Sequence, residues 1–120
     1  MTQGAKFLFI ASMNVTAAAE PLFNEVYDNE HIPSLLRVPG VVSATRYRSR
    51  PFRLSIGRHI ESEAGDGLPA YTAIYEIEHP DVLASPRWAA AIEEGRWPTQ
   101  VRPHTRDRVH VVLERSRPSK

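Results

Sequence analysis

The hydrophobic pattern along this chain changes period in the order strand, helix, strand, strand, helix, strand. Residues 6–13 (KFLFIASM) are a short, aromatic-rich apolar run without a breaker, which predicts a strand buried on both faces. Over residues 17–36 the period becomes helical. Leu22, Phe23, Val26 and Tyr27 share one face of it, and Glu25, Asp28 and Asn29 fall mostly on the other. Pro21 fits only a first turn, Pro33 is expected to bend or break the helix near His31, and Pro39-Gly40 ends it. Residues 41–48, 71–78 and 108–114 read as the remaining strands, with Tyr71, Ala73, Tyr75 and Ile77 on one side of their strand. Ser85-Pro86 supplies the N-cap and first residue of a second helix over residues 86–94, closed by Gly95. Residues 96–105 read as a connection.

This order is the split βαβ arrangement, an α+β ferredoxin-like βαββαβ fold whose antiparallel sheet carries both helices on one face. A monomer would leave the other face bare, so a homodimer is expected, with the two sheets closing into a dimeric α+β barrel. Residues 1–120 read as one domain. Within it, residues 50–69 are rich in Gly, Ser and charge and read as a loop or insertion, with a short β-extension over 52–60 and an exposed turn over 63–67. That segment is expected to be the most mobile internal stretch and to border a pocket or a dimer edge. Residues 115–120 form a polar tail expected to fray.

Composition narrows the partners. Fifteen basic and fourteen acidic side chains leave a net charge of +1, with arginines scattered among glutamates, so neither nucleic acid nor an anionic membrane is an expected partner. With no cysteine there is no disulfide framework, thiolate metal site or cysteine nucleophile. No apolar stretch reaches the roughly 18 residues a membrane-spanning helix needs. Lys6, the apolar run 7–15 and Ala17-Ala18-Ala19 loosely imitate a signal peptide, but the run is short and fits a buried strand, so a cytoplasmic protein is expected.

The segment with most chemical content is residues 23–40, FNEVYDNEHIPSLLRVPG. Steps of four lead from Phe23 to Tyr27 to His31, so the imidazole continues the apolar stripe, with Glu30 beside it. One reading makes His31 a general acid or base in a partly dry cleft, assisted by Glu30. The other makes it a structural histidine bonded to a backbone carbonyl freed by Pro33. No two histidines have helical or strand ligand spacing, so no metal site is expected. There is no nucleophile elbow, P-loop or dinucleotide fingerprint. His59, His79 and His104 read as solvated or structural.

The pattern F-N-x-x-Y-D-x-E-H-I-P-x-L-L-x-V-P-G-V, followed by S-A-T-R-Y-R, resembles the helix and second strand of the dimeric α+β barrel superfamily, nearest its EthD-like and related small members. The later Y-x-A-I-Y-E-I strand and S-P-x-W-x-x-A helix fit the same pattern. Val26 stands where many relatives carry Trp, so an aromatic wall contributed there is missing. The resemblance implies a pocket between helices and sheet, with Tyr27 and His31 at matching positions. It also implies proton transfer on a phenolic, enol or other enolisable substrate without a cofactor. A lyase, isomerase or cyclase is the expected class. The alternatives are a cofactor-free monooxygenase and a non-catalytic dimeric ligand-binding or assembly module. Fold alone does not choose among them. Candidate substrate-binding residues are Phe23, Tyr47, Tyr75, Trp88 and His110, each of which also fits packing or a dimer surface.

Overall fold

A computed structural model describes residues 5–63 and 69–117. Most of the turn expected over 63–67, and the end of the tail expected to fray, lie outside the described residues. In chain order the elements are β1 (Phe7–Val15), α1 (Glu20–Val26), α2 (Ile32–Leu36), β2 (Val41–Arg48), β3 (Phe52–Ile56), β4 (His59–Glu63), β5 (Tyr71–Ile77), α3 (Pro86–Ala91) and β6 (Thr105–Glu114). Four strands pair antiparallel in the order β2-β5-β1-β6, the ferredoxin-like βαββαβ arrangement. β3 and β4 form a separate hairpin between its second and third strands, where the sequence suggests a β-extension.

Register decides which side chains meet the helices. Phe9, Ala11 and Met13 of β1 stand opposite Tyr75, Ala73 and Tyr71 of β5, so these residues share one face. Phe23, Val26, Leu35, Trp88 and Ala91 of the helices pack on it to make the core. Each fully buried large side chain there, such as Phe23, Leu35 or Ile77, contributes about 2 kcal/mol. Leu8, Ile10 and Ile74, together with Val109, Val111 and Leu113, alternate onto the opposite, helix-free face. Among the described residues, no helix is long and apolar enough to cross a membrane.

Pro33 does not break the first helix. Instead, residues Tyr27–His31 widen into a π-helical segment, and the Ile32 N–H bonds the Tyr27 carbonyl five residues back. α2 then continues through Leu36. The physical reason is that proline lacks a donor and crowds the carbonyl four residues behind it, and widening the turn displaces that carbonyl. The same solution appears in the stretch expected to be an irregular connection. Trp97–Val101 is also π-helical, the Arg102 N–H bonds the Trp97 carbonyl, and Pro103 follows. α3 is shorter than expected, ending at Ala91, although Ser85 caps it by accepting the Trp88 N–H at 3.1 Å. β6 is longer, because Val15 and Asn14 of β1 still pair with Thr105 and Arg106 beyond a bulge.

Candidate active site

The two π-helical segments face each other beside the sheet. His31 stacks on Trp97 with ring centroids 4.2 Å apart and planes 17° from parallel, and Tyr27 meets both rings edge-on. A clamp one residue away sets this register. Glu30 accepts the Arg96 backbone N–H at 2.9 Å and its Nε–H at 2.7 Å, and Arg96 also reaches Glu25 at 2.7 Å. Gly95 makes the approach possible. Its φ is +67°, and a Cβ there would stand 2.5 Å from Glu30 Oε1. The bonds from Arg96 hold the Glu30 carboxyl below its ordinary range.

His31 and Trp97 form one wall of a cavity of about 360 Å³. Phe9, Met13 and Tyr75 of the sheet form its floor, with Trp88 and Leu35 from the helices. Arg102, Glu93, Arg108 and His110 stand around its polar margin. The size is at the small end of ligand pockets. Phe9 organises the floor, stacking on Tyr75 and on His110 at 5.7 Å each and meeting Trp88 edge-on.

His31 is buried, and its Nδ1 finds no hydrogen-bond partner among the described residues. Burial, aided by the Arg102 charge, lowers its pKa to about 4. The imidazole is therefore neutral at physiological pH. Tyr75 and Tyr27 share a 3.1 Å hydrogen bond, and burial raises both hydroxyl pKa values, that of Tyr75 well above the ordinary value. Both stay protonated. Arg46 lies over the Tyr27 ring at 4.6 Å while paired with Asp28 at 2.8 Å.

Of the residues singled out in the sequence, His31, Tyr75, Trp88 and His110 line this cavity together. Four do not. Tyr27 stands one layer behind, backing the cavity lining through the hydroxyl of Tyr75 and the rings of His31 and Trp97. Glu30 does not pair with His31, because the widened turn sends it to Arg96. Phe23 is wholly buried against Tyr27, Tyr71 and Trp97. Tyr47 stands opposite Thr72, on the helix-free face, and is exposed. Sequence reasoning missed Trp97, Arg102 and Arg108. The recurring signal was a proline six residues after the first residue of each π segment, Tyr27 to Pro33 and Trp97 to Pro103. Among the described residues no three His, Asp or Glu side chains gather as a metal site.

Comparison with solved structures now bears on the fold. The cofactor-independent oxygenase SnoaB from Streptomyces nogalater, in a mutant form, superposes with a TM-score of 0.57 at 20% identity, covering 93% of this chain and 94% of that one. An EthD-family protein from Bacillus halodurans gives 0.52 at 14%, covering 90% and 97%. The haem degrader MhuD from Mycobacterium tuberculosis, with two haems in its active site, gives 0.51 at 14%, covering 95% and 99%. The likeness is one of fold: these three structures share the antiparallel α+β arrangement described above. No family profile and no curated protein matches the chain.

Proposed function

We propose that the cavity is the active site of a small-molecule enzyme that begins by removing a proton from a phenolic or enolisable substrate, with His31 as the base. The observation that carries this reading is a buried, neutral imidazole with an unpartnered Nδ1 in the wall of an aromatic cavity. Its low pKa keeps the accepting form populated across the neutral range. The cost is weak basicity, which the substrate anion offsets by pairing with the imidazolium formed beside it. Tyr75 lines the same cavity and burial keeps its hydroxyl protonated, so we assign it as the donor to a developing oxyanion.

Between the classes expected from sequence, we favour an oxygenase, in which the substrate anion reacts with dioxygen, over a lyase or isomerase. The likeness of fold to a cofactor-independent oxygenase supports this preference. His31→Ala should retain its far-UV spectrum while losing roughly 10²-fold or more in oxygen uptake with naphthols and other fused phenols. His31→Asn should lose nearly as much. Undiminished turnover in either variant would remove His31 from the chemistry.

We further infer that the protein works as a homodimer. Val109, Val111 and Leu113 are 42%, 39% and 47% exposed, in one row on the helix-free face. A second copy would cover them. Light scattering should give twice the 13.5 kDa chain mass at micromolar concentration, and a stable monomer would refute the pairing.

A further inference from the structure

The charged margin of the cavity is unevenly paired. Arg102 is neutralised. It binds both carboxylate oxygens of Glu93, at 3.2 and 2.7 Å, and the Ile92 carbonyl at 2.8 Å. Arg108 has no hydrogen-bond or ion-pair partner among the described residues. With His31 and His110 neutral, two guanidiniums against one carboxylate leave the lining with one uncompensated positive charge, and it belongs to Arg108.

The backbone around Arg108 is unusual. Between the pairs Ser12–Val109 and Asn14–Arg106, the single residue Met13 stands against both Asp107 and Arg108, a β-bulge in the edge strand. Asp107 occupies the left-handed region at φ 56°, a conformation that favours Gly. Its carboxylate accepts a hydrogen bond from Asn14 Nδ2 at 3.0 Å, and Asn14 Oδ1 accepts the Ala70 N–H at 2.8 Å. The bulge therefore draws the acidic side chain nearest in sequence away to Asn14. Arg108 and His110, two residues apart, both face the cavity. The strain is local, and what it secures is an arginine without a counter-ion among the described residues, beside an aromatic chamber.

We propose that this Arg108–His110 edge is an anion-binding subsite for a carboxylate on the substrate, so that the enzyme acts on aromatic or fused-ring acids. The planar guanidinium offers a two-pronged match to a carboxylate, and the adjacent imidazole adds a donor. The rings stack in the chamber of Phe9, Trp88 and Trp97, and the acidic O–H or C–H meets His31 on the opposite, helical wall. The subsite deepens the reading above and rests on the cavity being where substrate binds.

Calorimetric titration of the whole protein with hydroxynaphthoate and with naphthol tests it, since the two probes share their rings and differ in the carboxylate. The wild type should bind the acid roughly tenfold or more tightly than the phenol, the usual worth of a charge-assisted contact. Arg108→Gln should collapse that preference, and Arg108→Lys should restore part of it. Arg108 is exposed, so neither substitution endangers the fold. Equal affinity for the two probes in the wild type, or an undiminished preference in Arg108→Gln, overturns the subsite while leaving the cavity as a binding site. Absence of binding by both probes overturns the subsite and the function proposed above together.

Discussion

The two walls of the cavity each present a histidine, and they are built in opposite ways. His31 sits on the helical wall, 7% exposed, stacked on Trp97 and fixed in register by the Glu30–Arg96 clamp. His110 sits on the edge strand, exposed, stacked on Phe9 and beside Arg108, which has no counter-ion among the described residues. Burial is the main cause lowering both imidazole pKa values, with Arg102 acting on His31 and Arg108 on His110. The contrast separates two tasks. A dry, rigid wall fixes the protonation state of a reacting group. An open wall with unspent charge offers recognition.

That contrast can be broken most severely at Trp97. Trp97→Ala removes a ring that is 4% exposed and supports His31, Tyr27 and Phe23, and it should cost roughly 3–5 kcal/mol in urea unfolding. A loss under about 1 kcal/mol would mean that the helical wall does not depend on this ring. Acid should have the next largest effect. Above pH 6.5 the His31 imidazole is neutral both folded and unfolded. Between that pH and about 4 the unfolded chain binds a proton that the folded one refuses, so stability falls as pH falls. The decline should approach about 3 kcal/mol, and His31→Gln should lack it. The subtraction is needed because His110 contributes in the same direction. Parallel pH profiles for the two proteins would contradict the buried neutral state. The open wall should respond least, with His110→Ala changing unfolding free energy by no more than about 0.5 kcal/mol. A loss several times larger would show that the edge strand is as structural as the helical wall.

The strand and helix order was legible because its signals are local: the unbroken apolar run of β1, the alternation of β5 and the Ser85-Pro86 cap of α3. His31 was legible from its spacing to Phe23 and Tyr27. Its neighbours were not, because stepping by four assumes an α-helix throughout. The π turn adds a residue, so Glu30 leaves the histidine and finds Arg96, 66 positions away. Tyr47 failed for a different reason. Which face of a strand meets the helices follows from pairing with β5, and that register is set by a bulge between Val41 and Ser43. Arg108 was illegible because the sequence places Asp107 next to it. Only the backbone shows that carboxylate turned to Asn14.

The widened turn at Tyr27–His31 also has a genetic meaning. An α-helix advances about 100° per residue, so a π turn behaves as a one-residue insertion that the helix has absorbed without losing its hydrogen bonds. Deleting one codon within this turn would force the helix toward α geometry against Pro33 and leave the strand order untouched. The residues on its two sides would then be rotated against each other by more than a quarter turn, and His31 and Leu35 could not both keep the faces they now present. A chain that differs from this one by a single residue of length in this helix would therefore share its fold and not its site.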